Sequence, residues 1–289
     1  MIRQHAMGAA LLIVLAAGCG KPAGPAAPAT DVRVAQAATL PATAADGAWA
    51  AAEEFKAPLV PQDIVEPRKL QSGAVEVRVK AMTDGTSIAF RIEWDDASAD
   101  DLRATAQFTD GCAVQLPATA SPDSPSPQMG EPGRPVTITF WSASAQATVD
   151  GRPHDLKTFH PNALIDHYPF QAPVLDKDPA ARAQMESMYA PAHALGNGEG
   201  AAPKKSVQDL VAEGPGTIRP APATGSTGRG GRTDKGWAVV IARPLPAGLA
   251  PGARSLVAFA VWNGSAEDVG ARKMRTVWIP LAMPKGAGK

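Results

Sequence analysis

The stretch that decides the fold class is VEVRVKAMTDGTSIAFRIEW, residues 75–94. Apolar side chains alternate with charged or small ones on both sides of the turn Thr83-Asp84-Gly85-Thr86; the apolar positions are Val75, Val77, Val79, Ile88, Phe90, Ile92 and Trp94. Alternation with a period of two is typical of strands that bury one face, and Asp-Gly is a preferred hairpin turn. The stretch therefore predicts a β-hairpin.

Similar apolar runs recur along the rest of the chain. They predict further strands at Cys112–Leu116, Val136–Trp141, Gln146–Val149, Gly236–Ala242, Leu256–Trp262 and Arg275–Ala282. Many short strands separated by Pro/Gly-rich turns are typical of a mainly β protein, and we expect an antiparallel β-sandwich.

An irregular, partly helical insertion interrupts this pattern between Asp150 and Arg232. Within it, Pro179–Tyr189 has the composition of a helix, Ser206–Glu213 is expected to add a helical turn, and Ala223–Arg232 resembles a mobile hairpin tip. A long irregular insertion in a compact domain usually serves function or covers a partner-binding surface.

The amino-terminal residues predict export and lipidation. A short basic segment precedes an apolar run too short to cross a bilayer as a permanent helix, which is typical of a signal peptide over residues 1–18. Leu15-Ala16-Ala17-Gly18 before Cys19 resembles a bacterial lipobox, which implies cleavage and lipidation at Cys19. The alternative is an ordinary secretory signal. We expect a cell-envelope protein that faces the periplasm, with the choice of inner or outer membrane left open.

Two domain boundaries follow from composition. Residues 19–45 are rich in Ala, Pro and Thr without apolar periodicity, so we expect a flexible tether. Residues 46–284 then form the folded domain.

Charge and cysteine content exclude several functions. The 28 basic and 28 acidic residues balance, which argues against nucleic-acid binding. Cys112 has no partner once Cys19 is lipidated, and we expect it to be an inert thiol in the core. The chain has no Cys-x-x-Cys-His sequence for covalent haem and no cysteine cluster for iron–sulfur or zinc sites.

Histidines and acidic residues do not form a recognisable active site. His154, His160, His167 and His193 lie in the insertion without metal-ligand spacing, so they are expected to be solvated or to face a partner. The acidic run from Glu93 to Asp101 is expected to be a solvated turn.

Two residues are better candidates for a site. Met129 lies in PQMGEPGRP, residues 127–135, where a thioether held by a stiff loop suits a soft axial metal contact; the alternative is packing on Trp141. Lys273 lies in GARKMRTVW, residues 270–278, where a hairpin loop presents it as the last strand begins; the alternative is an exposed strand-edge lysine.

The chain resembles the haem-binding γ subunits of type II dimethyl-sulfoxide-reductase-family molybdoenzymes, such as ethylbenzene dehydrogenase. The resemblance covers most of residues 46–281. The ordered motifs that carry it are DGAW (46–49), MGEPGRP (129–135), DHYP (166–169), ALGN (194–197), VQDLVAEGPGT (207–217) and GWAVV (236–240).

The resemblance implies one haem b with a methionine and a lysine as axial ligands, at the positions of Met129 and Lys273. Lysine ligates only as the free amine, so burial must lower its pKa. Met274 competes for the second position, but strand alternation sends it to the opposite side. With both axial positions filled, the chain is expected to transfer electrons rather than to catalyse a reaction alone.

The same resemblance implies iron–sulfur and molybdopterin subunits as partners and a periplasmic cytochrome as the electron carrier. Family γ subunits are commonly soluble periplasmic proteins, whereas this chain carries a lipobox; the identity of the partner enzyme therefore stays open.

Two other functions remain as alternatives. A carbohydrate- or ligand-binding β-sandwich lipoprotein would use Trp49, Trp141 and Trp237 as exposed stacking platforms, although tryptophans scattered along strands favour a role in the core. The second alternative is a haem-free assembly or interaction protein.

Overall fold

The computed structural model describes residues 30–121, 123–164, 169–191, 195, 201–222 and 225–286; the predicted signal peptide and Cys19 lie outside them. The described part is mainly β, as predicted. Its strands are β1 Val32–Gln36, β2 Phe55–Pro58, β3 Val60–Pro61, β4 Glu76–Thr83, β5 Ser87–Asp95, β6 Gly111–Pro117, β7 Val136–Ser142, β8 Val207–Ala212, β9 Arg219–Pro220, β10 Thr227–Arg232, β11 Gly236–Pro244, β12 Arg254–Trp262, β13 Met274–Arg275 and β14 Ile279–Ala282. The α-helices are α1 Ala143–Val149, α2 Leu156–Phe159 and α3 Pro179–Tyr189.

The strands of the described residues join in one curled sheet. Its main path runs β10-β11-β5-β4-β1-β14-β12-β6-β7-β8-β9, while β2 pairs with β4, and β13 lies between β12 and β3. Strand β1 is parallel to both of its neighbours, β14 and β4, so the sheet is mixed. The predicted antiparallel sandwich is not confirmed. Strand β1, which is parallel to both of its neighbours, joins the strands into one mixed sheet with the shape of a half-barrel.

The curl of the sheet encloses one large apolar core. Phe90 of β5 meets Phe259 of β12 edge to face, with 5.8 Å between ring centroids. Trp141 of β7 contacts Trp237 at 5.2 Å and Trp94 at 6.4 Å in the same manner. These aromatic pairs connect the β5–β11 side of the sheet with the β7–β12 side.

Cys112 of β6 is fully buried in this core. Burial raises the pKa of its thiol well above the usual range, because an apolar environment disfavours the thiolate. This environment agrees with the expected inert core thiol.

The folded region begins earlier than predicted. Strand β1 lies within residues 19–45, which composition assigned to a flexible tether, and Val32 and Val34 are buried in the core. Five residues of alternating pattern are too short to stand out from the surrounding Ala/Pro-rich sequence. Their order comes from pairing with strands far along the chain. The predicted boundary at residue 46 is therefore too late.

Three elements differ in type from the prediction. Gln146–Val149 was expected to be a strand but belongs to α1, which begins after Ser142 because the Ser142 hydroxyl caps the amide of Ala145. Ser206–Glu213 was expected to be helical but contains β8, paired with β7. Ala223–Arg232 was expected to be a mobile hairpin tip, yet residues 227–232 form β10 along β11.

Strand β10 is rich in glycine because a tryptophan packs against it. A Cβ atom on Gly230 would lie 2.3 Å from the Trp141 ring, and one on Gly228 would lie 2.3 Å from Val207. Glycine in a strand often marks such a close approach. The high glycine content suggested a loop, but it is what the close packing of Trp141 and Val207 against β10 requires.

Other predicted elements are confirmed. The hairpin of β4 and β5 and the strands β6, β7, β11 and β12 form where alternation placed them, and α3 covers the predicted helix. The predicted last strand is divided into β13 and β14. In the insertion, α2, α3 and the 3-10 helices Pro169–Gln171 and Pro173–Lys177 bury no side chain.

Candidate functional site

A second apolar surface covers the opposite face of the strands that enclose the core. We call it the Trp262 cluster. Its buried members are Ala113, Val136, Ile138, Ala212 and Trp262, and its partly buried members are Met129, Phe140, Leu210, Ala260 and Trp278. Directly paired residues share a face of a sheet, and β12, β6, β7 and β8 are consecutive neighbours. The cluster therefore forms one continuous face.

Met129 reaches this face from a tight turn before β7. Its backbone has a φ of 67°, a left-handed conformation that costs a non-glycine residue about 1 kcal/mol. The carbonyl of Met129 accepts a hydrogen bond of 2.8 Å from the amide of Gly214. Gly130 is also left-handed, and a Cβ there would lie 3.0 Å from the Ala212 carbonyl. The turn is therefore held tightly against the end of β8.

The surroundings of Met129 differ from the packing alternative. The structure places Met129 in the Trp262 cluster, whereas Trp141 lies in the main core, on the other face of β7. A strained backbone at a non-glycine residue persists only when its surroundings fix it, and such residues concentrate at functional sites.

Lys273 reaches the same cluster from the hairpin between β12 and β13. Its Nζ lies 5.0 Å above the centroid of the Trp262 ring. Burial, and to a smaller extent the positive charge of Arg275, lowers the pKa of Lys273 from 10.5 to about 8. Met274 is buried in the main core on the opposite face, so the predicted alternation is confirmed.

Met129 and Lys273 lie toward opposite ends of the face. Trp262 is level with Gly111 at the start of β6, whereas Val136, close to Met129, is level with Pro117 at its end. Cavities of about 440 Å³ and 340 Å³ are lined by other residues. The structure therefore brings Met129 and Lys273 to one apolar face, away from both cavities.

Residues that sequence reasoning missed hold the Lys273 hairpin in place. The amide of Gln62 donates to the carbonyl of Lys273 at 2.9 Å, and its side chain donates to the carbonyl of Ala271 at 3.1 Å. Lys69 and Asp268 form a buried ion pair of 2.6 Å. These partners are about 200 residues apart in sequence, so no local pattern indicates them.

The comparison with models of protein families adds an independent observation. Residues 46–274 match the ethylbenzene dehydrogenase family model. The chain belongs to the ethylbenzene dehydrogenase family. The match includes both Met129 and Lys273, and it supports an association with a molybdoenzyme in general terms. A search of curated proteins finds no match to the chain.

The predicted histidines contribute no metal site to this member of the ethylbenzene dehydrogenase family within the described residues. His154 is exposed and stacks edge to face on Phe159 at 5.0 Å, and His160 follows α2. His167 and His193 lie outside the described residues. Across the described ranges, no group of three His, Cys, Asp or Glu side chains is arranged to hold a metal ion.

The acidic run is less solvated than predicted. Asp96 is buried, and the Asp100 carboxylate accepts a hydrogen bond of 3.0 Å from the amide of Ser265. The run therefore helps to fix the β12 end of the core, and the prediction of a solvated turn is wrong for Asp96.

The carbohydrate alternative loses its proposed platform. Trp49, Trp141 and Trp237 are all buried, at 3%, 0% and 6% exposure, so their faces are not open to a sugar.

In the described residues, no helix is both long and apolar enough to span a membrane.

Proposed function

We propose that this chain is an electron-transfer subunit that binds one haem b, with Met129 and Lys273 as axial ligands. The observation that carries the proposal is that both residues, which come from separate parts of the chain, contact the same apolar face, the Trp262 cluster. Membership of the ethylbenzene dehydrogenase family supports it.

The donor set fits a haem iron chemically. A thioether favours the reduced metal, and a lysine amine binds a metal only after losing its proton. Contact with Trp262 withdraws the Lys273 amine from water, which lowers the pKa toward the range where the free amine is accessible. When bound, haem supplies one-electron redox chemistry. Phe140, Leu210 and Trp278 offer the apolar contacts that a porphyrin requires.

The wider assignment follows from the same proposal. Two protein ligands leave no open metal position for a substrate, which favours a relay over catalysis. The partners would be the iron–sulfur and molybdopterin subunits of a molybdoenzyme and a periplasmic cytochrome. We place the chain in the cell envelope, anchored through a lipid on Cys19 and facing the periplasm.

Reconstitution with haemin tests the assignment. The purified chain should give the Soret and α bands of a low-spin haem, because both axial ligands are strong-field donors. Met129→Leu and Lys273→Leu should each abolish the low-spin spectrum, because leucine preserves an apolar side chain of similar size and offers no donor atom to the iron. Met188→Leu, at a methionine that is 64% exposed on α3, is the matched control and should leave the spectrum unchanged.

Two results would contradict the proposal: wild-type chain without a haem spectrum, or low-spin spectra that survive in both ligand variants. A glycan-binding screen on the same preparation addresses the alternative. Glycan binding without haem would indicate a ligand-binding lipoprotein, and neither activity would favour an interaction protein.

A further inference from the structure

Arg275 occupies a defined position beside the proposed haem site. It follows Lys273 by two residues and pairs directly with Ala260 of β12. Ala260 belongs to the Trp262 cluster, and directly paired residues project from the same face of a sheet. The Arg275 side chain therefore lies at the margin of the apolar face, on the side where Lys273 meets Trp262.

The guanidinium of Arg275 has donors to spare. Its side chain is only 17% exposed, yet its one ion contact within the described residues is a 3.9 Å approach to Asp63. That distance is long for a hydrogen-bonded pair, and the Asp63 carboxylate is 65% exposed. Solvent screens such a pair, which contributes little to stability. Five N–H donors in a planar fork thus remain largely available at the edge of an apolar surface.

We infer that Arg275 binds a carboxylate of the molecule that lies on the Trp262 cluster, and that for haem this group is a porphyrin propionate. The inference rests on the proposed function. A guanidinium recognises a carboxylate through two parallel hydrogen bonds, and this geometry orients the bound molecule as well as holding it. Arg275 would thereby determine which edge of the porphyrin points toward the β13 side of the face.

Comparison of free and esterified porphyrins isolates this contact. The full chain is titrated with haemin and with haemin dimethyl ester, in which both propionates are blocked. Arg275→Gln should weaken haemin binding about tenfold and leave binding of the ester within about twofold of wild type. Arg254→Gln, at an exposed arginine near the start of β12, is the matched control and should change neither.

Metal-free protoporphyrin IX and its dimethyl ester separate this inference from the axial assignment, because neither probe offers iron to Met129 or Lys273. Selective loss of the free acid in Arg275→Gln, with partial recovery in Arg275→Lys, supports the carboxylate contact even if the ligands are misassigned. Equal weakening of acid and ester would show a structural role and overturn the inference. So would unchanged binding in Arg275→Gln, or a wild-type chain that binds none of the four probes.

Discussion

Asp110, just before β6, is a buried carboxylate that three hydrogen-bond donors hold in place. It is fully buried and accepts hydrogen bonds from the indole of Trp237 and the amide of Gly264, both at 2.9 Å, and from the amide of Asp100 at 2.7 Å. Burial raises the pKa of Asp110 from 3.8 to about 6, and the three donors limit the rise. Three separate elements meet at this one side chain.

Asp110 therefore makes stability depend on pH with a defined sign. The folded chain holds its proton more tightly than the unfolded chain, so the stabilisation is complete at low pH and is lost as the pH rises through 6. The free energy of unfolding of wild type relative to Asp110→Asn should be greater at pH 5 than at pH 7.5, by about 1–1.5 kcal/mol. Urea unfolding of both proteins at both pH values measures this. An identical difference at the two pH values would show that Asp110 does not titrate in this range.

The same tripeptide elsewhere in the chain shows why sequence alone misses Asp110. Thr-Asp-Gly occurs at residues 83–85 and again at 109–111. Asp84 caps an exposed hairpin turn, and hydrogen bonds from the amides of Thr86 and Ser87 lower its pKa. Asp110 is buried, and its pKa shifts in the opposite direction. Tertiary contacts decide between the two, whereas longer motifs and a family resemblance predicted Met129 and Lys273 as site residues.

The hairpin between β12 and β13 is held by an element that carries no regular structure. Residues 62–73 pack along it, and the buried pair Lys69–Asp268 joins the two, with 5% and 2% side-chain exposure. The Trp262 indole donates to the carbonyl of Gly270 at 3.0 Å, which ties the aromatic floor of the site to the same hairpin. The position of Lys273 thus depends on a contact far from it in sequence.

Removing one partner of the Lys69–Asp268 ion pair should lower the free energy of unfolding more than replacing both partners. Lys69→Met leaves Asp268 buried and unpaired, so we expect a loss of roughly 3–5 kcal/mol in the free energy of unfolding. The double variant Lys69→Met/Asp268→Asn removes the buried charge and keeps an acceptor for the amide of Asn263, so it should regain more than half of that loss. Urea unfolding measures both. A double variant as unstable as the single one would contradict the importance of the unpaired charge.

Strand prediction from alternation succeeded or failed for physical reasons that differ between elements. Strands β4, β5, β11 and β12 were predicted correctly because one face of each lies in the core, so apolar residues recur at every second position. Strand β10 lacks this alternation, because Trp141 occupies the space that a side chain at Gly230 would need. The seven-residue helix α1 was missed, and residues 146–149 within it were assigned to a strand. The side-chain oxygen of Gln146 accepts hydrogen bonds from the Trp141 indole and from the amide of Gly230, and these tertiary contacts leave no local pattern.

At the scale of the whole molecule, β1 determines that there is one sheet. It pairs in parallel with β14 through Val32 and with β4 through Val34. Without it, those two strands would each expose an unpaired edge at the middle of the half-barrel. The consequence for the proposed anchor is geometric. Twelve residues lie between Cys19 and Val32, and the thirteen residue steps span at most about 45 Å when fully extended. The folded part would therefore stay near the membrane surface.

We expect variants that remove the anchor at Cys19 to keep the fold, and variants that disrupt β1 to keep the anchor. Cys19→Ser, combined with replacement of residues 1–18 by a secretory signal that is cleaved without lipidation, should move the chain from the membrane fraction to the soluble periplasmic fraction. Its thermal unfolding midpoint should not change, because β1 remains intact. Val34→Asp places an unpaired charge in the core and should lower the free energy of unfolding by roughly 3–5 kcal/mol while leaving lipidation at Cys19 unchanged. Val277→Asp, at a valine that is 60% exposed, is the control and should behave as wild type. A Cys19→Ser chain that has lost the replacement signal and still stays with the membrane would contradict the lipid anchor. A Val34→Asp chain as stable as the control would contradict the role of β1, because a strand that joins the two sides of the sheet cannot tolerate a buried charge without weakening both.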